Sequence, residues 1–294
     1  ICYIWYSKCF SMDNASTYIL AGALIIIMLG MGLSLKVEDF KRIVLYPKGI
    51  FIGLTNQLIF LPVIGFLIAT LLPMQPEIAV GVMILAACPG GPTSNLISFM
   101  AKGNLALSVS LTALSSVITI FTIPFIVVFA SEYFVGAEEV VQLNIVQTIV
   151  QIFVIVVIPI AIGMLIRSAK PEFANKMGKP VRIASGVVLA LIIIGLVIKE
   201  RANFVAYLKQ AGVATFLLNV LTMALGYASA RLFKLPKTSA ISISIESGIQ
   251  NGTLAITIAI VMLQNTSYAI APAVYSLLMF ITGGFAIYLF NRKT

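Results

Sequence analysis

The sequence predicts an all-α polytopic membrane protein, and three features of the 294-residue chain support this prediction. Its residues are 60% hydrophobic and only 10% charged, whereas about 25% of the residues in a typical soluble domain are charged. Apolar runs of about 20 residues, long enough to cross a bilayer as helices, recur along nearly the whole chain. Two of these runs are interrupted near their centres by proline, glycine and polar residues.

The apolar runs predict nine membrane-spanning helices. They cover residues 15–35, 49–73, 76–100, 104–130, 143–167, 182–199, 208–232, 238–264 and 268–290. Residues 1–10 are apolar and aromatic but too short to span a bilayer. We therefore expect a truncated or missing first helix, and nine or ten helices in total.

The basic residues predict the orientation of these spans. Alternating loops place fifteen of the 19 lysines and arginines on one side of the membrane and four on the other. Because cytoplasmic loops carry an excess of Lys and Arg, we expect a cytoplasmic C-terminus in a bacterial inner membrane. The formal charge of +9 reflects this asymmetry. We therefore expect contact with membrane lipid, no nucleic-acid partner and no obligate protein partner.

Glu246 is the only acid in the interior, away from the ends, of any of the long apolar segments. An ionised side chain at bilayer depth costs at least about 2.5–3.5 kcal/mol, so such a residue normally faces a cavity or a partner. The residues that follow it, Ser247 to Gly252, are polar or glycine at most positions. This pattern predicts a carboxylate at a break in a membrane helix, which is an arrangement that suits a cation site.

A second break is predicted in span 76–100, where Cys88 to Asn95 includes two prolines and two glycines. Each interrupted segment is the second of three consecutive spans, and two further spans separate the two groups. The groups therefore enter the membrane from opposite sides. This is the pattern of an inverted-topology repeat whose discontinuous helices meet at the midplane of a secondary transporter.

Other polar residues in the spans fit a cation site. Gln57 lies in the span before the first break, and Asn219 lies in the comparable span before the second. Ser108 and Thr112 share one face of the following helix because they are four residues apart. Hard cations prefer carboxylate, carbonyl, hydroxyl and amide oxygens. The chain contains no histidine, so the usual ligand of zinc sites and proton relays is missing.

Several of these residues form motifs that resemble those of the bile acid:sodium symporter family. The likeness covers nearly the whole chain and includes Pro89-Gly90-Gly91-x-x-Ser94-Asn95, Ser108 with Thr112, Glu246-x-Gly248-x-Gln250-Asn251, Gly30-Met31-Gly32-Leu33-x-Leu35 and Asp39-Phe40.

The resemblance implies a core domain with two crossed broken helices and a panel domain that rocks against it. Panel helices would come from residues 1–48 and 143–199. The core halves would be residues 49–130, broken at 88–95, and residues 208–294, broken at 246–252.

The resemblance also implies two sodium ions. The ligands of the first would be Ser94, Asn95, Ser108, Thr112 and Glu246. The second would be held by Gln57, Glu246, Gln250 and the backbone oxygens of Ser247 and Ile249. The organic anion would lie between core and panel, and we expect its site to include Pro92, Thr93, Asn95, Asn251, Asn219, Met279 and Phe280.

The sequence departs from many members of this family at Pro92 and at Met279-Phe280, where polar residues are common. We therefore expect a drier and smaller substrate site, which leaves both a bile-acid-like anion and a small keto or hydroxy acid open. Two alternatives to sodium symport remain. One is a proton-coupled or uncoupled anion carrier or channel in which Glu246 titrates. The other is a membrane-embedded enzyme, which we do not expect because no second carboxylate or nucleophile motif accompanies Glu246.

Overall fold

The computed structural model describes residues 14–36, 45–136, 153–199 and 204–292, together with residues 38, 150–151 and 201. Every regular element in these residues is helical, which confirms the all-α prediction. The predicted N-terminal stub and Asp39-Phe40 lie outside the described residues. In chain order the helices are α1 (Asn14–Ser34), α2 (Pro47–Leu71), α3 (Pro76–Ala86), α4 (Pro92–Met100), α5 (Leu105–Phe134), α6 (Phe153–Ala169), α7 (Pro171–Lys199), α8 (Phe204–Leu232), α9 (Lys237–Gly248), α10 (Gly252–Thr257) and α11 (Ile270–Arg292).

Proline sets the start of several helices. The first helical positions of α2, α3 and α4 are occupied by Pro47, Pro76 and Pro92, respectively. At such a position the fixed φ of proline suits the helix, and its missing N–H costs nothing. Helix α7 begins at Pro171 rather than at residue 182 as predicted. The reason is that hydropathy marks only the apolar part of a helix, and α7 extends beyond the apolar part by several polar turns.

The membrane assignment is confirmed for the part of the chain that the structure describes. Five helical segments there are long and apolar enough to cross a bilayer, and they are Pro47–Leu71, Leu105–Phe134, Val205–Leu232, Lys237–Met262 and Ser267–Arg292. Three shorter apolar segments accompany them. These are Ile25–Ser34, which is part of α1, Pro76–Ala86 and Phe153–Ala169. The chain is therefore a polytopic membrane protein, while the count of nine or ten spans stays a prediction.

Helix α1 packs closely against α6 and α7. Glycines allow this approach, because a Cβ on Gly163 of α6 would lie only 2.8 Å from the Cα atom of Gly32 in α1. A Cβ on Gly32 would in turn overlap the backbone of Ile160. Small residues that let helix backbones touch are the usual means of helix association in membranes.

The half-helices α3 and α9 are the most enclosed parts of the fold. Residues 78–86 of α3 and 239–248 of α9 are all buried, and α2, α5, α8 and α11 surround them. This burial includes polar residues, so the centre of the bundle is lined with oxygen atoms that lipid does not reach. The predicted inverted repeat and the division into panel and core domains stay predictions.

Candidate functional site

Two helices are interrupted at the centre of the bundle. Helix α3 ends at Ala86 and the chain becomes helical again at Pro92; helix α9 ends at Gly248 and α10 starts at Gly252. Both interruptions are shorter than the predicted ranges 88–95 and 246–252. The first ends early because Pro92 already occupies a first helical position. The second begins late because Glu246 still belongs to the last turn of α9.

The two interruptions meet through Asn251. Its backbone N–H donates to the carbonyl of Cys88 over 3.0 Å, and its side-chain oxygen accepts from the N–H of Leu254 at 3.1 Å, which caps α10. A polar side chain at this position satisfies a donor that a helix start otherwise leaves free. Asn251 therefore fixes the crossing point of the two broken helices.

Glu246 is completely buried and lies at this crossing point. Its Oε1 accepts from the hydroxyl of Ser108 at 2.6 Å, and its Oε2 accepts from the hydroxyl of Thr112 at 2.9 Å. The same two hydroxyls lie 2.8 and 3.1 Å from Oδ1 of Asn95. Carboxylate, hydroxyl and amide oxygens from α9, α5 and α4 thus converge within hydrogen-bond distance of one another.

Gln57 approaches Glu246 from α2. Its Nε2 donates to the backbone carbonyl of Glu246 at 3.0 Å and lies 3.4 Å from Oε2 of that residue. Gln57 belongs to a π-helical turn, Asn56–Phe60, and such turns occur frequently at functional sites in α-helices. On the other side of the second break, Nε2 of Gln250 donates to the carbonyl of Ser247 at 2.6 Å.

Three amide oxygens near the breaks are buried without a hydrogen-bond donor among the described residues. They are Oε1 of Gln57, Oε1 of Gln250 and Oδ1 of Asn219. A buried acceptor without a partner costs about 1–3 kcal/mol, so an arrangement that keeps several of them suits a ligand that accepts oxygen lone pairs. A cation meets that requirement, whereas an anion does not.

Gly90 borders a small space between the breaks. A Cβ at this position would lie 2.8 Å from Oγ of Ser94, 3.0 Å from the carbonyl oxygen of Ile249 and 3.1 Å from Oε2 of Glu246. These three oxygens therefore face a common volume that any side chain at residue 90 would fill. In the sequence Gly90 stands out only as part of a motif, because glycine itself offers no side-chain ligand atom.

Tyr275 of α11 is a further residue at the site, and the sequence alone does not indicate it. Its hydroxyl donates to the carbonyl of Gly248, the last residue of α9. Nδ2 of Asn219 donates to the same carbonyl at 2.6 Å and contacts the Tyr275 hydroxyl at 3.1 Å. The sequence does not indicate which carbonyl the hydroxyl of a tyrosine in an apolar helix will contact. Asn219 thus supports the second break.

A cavity of about 530 Å³ lies beside the crossing point. Of the predicted substrate residues, those that line it are Pro92, Thr93, Asn251, Met279 and Phe280. Asn219 and Asn95 lie elsewhere, at the Gly248 carbonyl and beside Ser108 respectively. Much of the remaining wall comes from α1 and the first part of α7, so the cavity is bordered both by these helices and by the broken ones.

The oxygen-rich centre suits a hard cation better than a transition metal. Among the residues that the structure describes, no group of three or more His, Cys, Asp or Glu side chains converges. Glu246 supplies the one carboxylate of the cluster, and its neighbours are hydroxyl and amide groups. Such oxygens bind alkali and alkaline-earth ions, while soft nitrogen and sulfur ligands select zinc and copper.

Known proteins of similar sequence are also described as dependent on a hard cation, sodium. Residues 21–207 match the model of the sodium bile acid symporter family. The chain is 31% identical over 273 residues to the uncharacterized sodium-dependent transporter YocS of Bacillus subtilis (strain 168), covering 91% of this chain and 81% of that protein.

Two eukaryotic relatives are more distant. A protein of Arabidopsis thaliana named as the probable chloroplastic sodium/metabolite cotransporter BASS1 is 29% identical over 271 residues, and the chain spans 66% of its length. The human ileal sodium/bile acid cotransporter is 28% identical over 238 residues, and the chain spans 67% of it.

Proposed function

This chain belongs to the sodium bile acid symporter family, and we propose that it couples the symport of an organic anion to sodium by alternating access. The relatives described above are named as transporters or cotransporters. The chain is therefore a transporter, and an enzymatic role for Glu246 is set aside. The proposal rests chiefly on the buried Glu246 carboxylate and the hydroxyl and amide oxygens around it.

The first sodium ion would bind between Glu246, Ser108, Thr112, Asn95 and Ser94. In the structure the Ser108 and Thr112 hydroxyls donate to the carboxylate. When sodium binds, these hydroxyls can rotate their protons away and offer lone pairs, because a hydroxyl is both donor and acceptor. Gly90 supports this placement, since the space that its missing Cβ leaves lies next to Ser94 and Glu246.

The second sodium ion would bind at the second break. Its ligands would be Oε1 of Gln57, Oε1 of Gln250, the Glu246 carboxylate and the backbone oxygens of Ser247 and Ile249. The buried amide oxygens of Gln57 and Gln250, which have no donor in the part of the chain that the structure describes, support this placement, because a sodium ion would compensate both. A single carboxylate shared by two sites would then balance one of the two positive charges.

Charge balance supplies the coupling. Glu246 with two sodium ions carries one net positive charge, and a monovalent anion bound in the adjacent cavity neutralises it. Sodium binding therefore strengthens anion binding, and by thermodynamic reciprocity the anion strengthens sodium binding by the same factor. One net charge moves in each cycle, which is worth about 2.3 kcal/mol per 100 mV of membrane potential.

We propose that α1, α6 and α7 act as the panel that moves against the broken helices. These three helices contact one another extensively, and the cavity lies between α1, α7 and the crossing point. Movement of one packed group against the other would expose the cavity to alternate sides of the membrane, which is the usual mechanism of transporters with discontinuous helices.

Uptake into proteoliposomes tests this function. Purified protein is reconstituted, and uptake of labelled cholate, pantoate and pyruvate is followed under an inward sodium gradient, an equal potassium gradient and an inward proton gradient. We expect at least one of these anions to accumulate with sodium and not with potassium. Accumulation that follows the proton gradient and ignores sodium would contradict the proposal and support the proton-coupled alternative.

A further inference from the structure

Arg167 is the one charged side chain among the cavity-lining residues that the structure describes. It lies in the last turn of α6 and is partly buried. Much of the cavity wall is apolar, with Met28, Leu33 and Val181 on α1 and α7. A partly buried cation attracts anions more strongly than a fully exposed one, because the local dielectric is lower.

The guanidinium of Arg167 contacts Asn175 of α7, which also lines the cavity. Its Nη1 donates to Oδ1 of Asn175. This partner is neutral, and no carboxylate of the described residues pairs with the guanidinium. A guanidinium has five N–H donors in a planar fork, so further donors remain for a carboxylate or sulfonate, which it can hold with two parallel hydrogen bonds.

A cation at the end of α6 also has a structural explanation, because basic residues stabilise helix C-termini and mark cytoplasmic ends of spans. Lys170 meets both of these needs three residues later. It caps the same helix, is exposed and is not part of the cavity wall. The structural explanation accounts for neither the position of Arg167 on the wall nor its contact with Asn175.

The volume of the cavity limits the class of solute. Sites for drug-sized ligands range from about 300 to 1,000 Å³, and this cavity of about 530 Å³ lies within that range. A keto acid with a handful of atoms would leave most of the space to water. An amphipathic anion with a large apolar body would fill it and cover the exposed ring of Phe280 and the side chain of Met279.

We propose that Arg167 and Asn175 bind the anionic group of an amphipathic organic anion at the end of the cavity formed by α6 and α7. The apolar body lies along the wall between this end and the broken helices. This inference rests on the proposed function and adds a specific anion-binding residue to it. It also favours bile-acid-like solutes over small carboxylates.

The test compares an anion with its neutral analogue. Binding of cholate and of cholate methyl ester is measured by titration calorimetry on purified protein in sodium, for wild type, Arg167→Gln, Arg167→Lys and Asn175→Ala. Lys170→Gln serves as the control because it removes a neighbouring cation that does not line the cavity. Sodium-dependent thermal stabilisation of each variant verifies that the protein is folded and that the cation site is intact.

For Arg167→Gln we expect cholate affinity to fall about tenfold, the effect of losing one charge-assisted hydrogen-bonding group. The affinity for the methyl ester should stay close to that of wild type. Arg167→Lys should lie between wild type and Arg167→Gln, Asn175→Ala should show a smaller selective loss, and Lys170→Gln should show none.

An equal loss for cholate and its ester would mean that Arg167 only packs the cavity, and it would overturn the proposal. So would unchanged cholate affinity in Arg167→Gln, or wild-type protein that does not bind cholate in sodium. Failure of the proposed function is separate, because it requires that no anion be taken up in response to sodium.

Discussion

The backbone N–H of Asn251 donates to the carbonyl of Cys88 over 3.0 Å, and this hydrogen bond joins the two helix breaks directly. The Asn251 N–H and the Cys88 carbonyl each lie where a helix is interrupted and the regular helical hydrogen bond is missing. Each group therefore provides the hydrogen-bond partner that the other lacks. As a consequence, Glu246, which lies next to the second break, is held beside Ser94 and Asn95, which lie next to the first. The geometry of the site therefore depends on both breaks together.

Replacement of Glu246 by Gln should abolish sodium-driven uptake. The substitution keeps the shape but removes the buried charge, and we expect sodium affinity to fall about 100-fold, since an interaction with a charged group is worth about 1.5–3 kcal/mol. Without sodium the variant should melt at or above the wild-type temperature, because it no longer buries an uncompensated charge. Thermal shift in sodium and in potassium measures both effects.

The control for this variant is Glu132→Gln. Glu132 is an exposed acid near the end of α5, far along that helix from Ser108 and Thr112. The Glu132→Gln variant should respond to sodium as the wild-type protein does. Sodium-driven uptake by Glu246→Gln at the wild-type rate would refute a role of this carboxylate in coupling.

Gly90→Ala should weaken sodium binding without unfolding the protein. The added Cβ would lie 2.8 Å from Oγ of Ser94 and 3.1 Å from Oε2 of Glu246, and it would occupy the space between these oxygens. We expect the sodium concentration for half-maximal thermal stabilisation to rise by about tenfold or more. Gly284→Ala in α11 is the matched control, because a Cβ there meets nothing within 4 Å. Equal sodium responses in the two variants would count against the proposed cation space.

Thr112→Val should show that the hydroxyl of Thr112, rather than its volume, matters. Valine has nearly the same shape but cannot offer an oxygen to sodium, so we expect about a tenfold lower sodium affinity. Thr112→Ser should restore it. Thr119→Val is the control on the same helix, because the Thr119 hydroxyl donates to the carbonyl of Ser115 in its own helix at 2.8 Å. Sodium titration of uptake compares the three variants, and a similar loss in Thr119→Val would indicate a general packing effect.

Gln250→Leu should remove the second sodium site and leave the first. The Hill coefficient for sodium-dependent uptake is expected to fall from about 2 towards 1, because the Hill coefficient cannot exceed the number of coupled sites. Charge movement per anion should decrease in the same variant. A coefficient that stays at the wild-type value, measured over a full sodium titration, would contradict the placement of the second ion at Gln250.

Tyr275→Phe should destabilise the second break modestly. The Gly248 carbonyl loses one donor but keeps the amide of Asn219 at 2.6 Å, so we expect a loss of about 0.5–1.5 kcal/mol in stability. Sodium should restore part of this loss by binding the folded state. Tyr288→Phe, at an exposed position of α11, is the control. Thermal melting in sodium and potassium provides the measurement, and identical curves for both variants would exclude a role for the Tyr275 hydroxyl.

The hydropathy pattern predicted the helices well because burial in lipid acts on each segment separately. Proline at the first position of α2, α3 and α4 is a local signal of the same kind. The lengths of the two breaks were less predictable. The sequence marks Glu246 to Gly252 as unusual, but whether Glu246 continues a helix depends on the backbone hydrogen bonds of α9 and on the donors around it, which come from other helices.

The sequence by itself determined the class of the protein, an all-α polytopic membrane transporter, because the apolar composition and the family motifs are properties of the chain alone. It also supplied the oxygen-bearing residues proposed as sodium ligands. Only the tertiary structure decided that Gly90 leaves a space beside Ser94, that Tyr275 and Asn219 support the Gly248 carbonyl, and that Arg167 lines the cavity. Apart from the Gly90–Ser94 pair, these relationships join residues far apart in the chain, and packing between helices creates them.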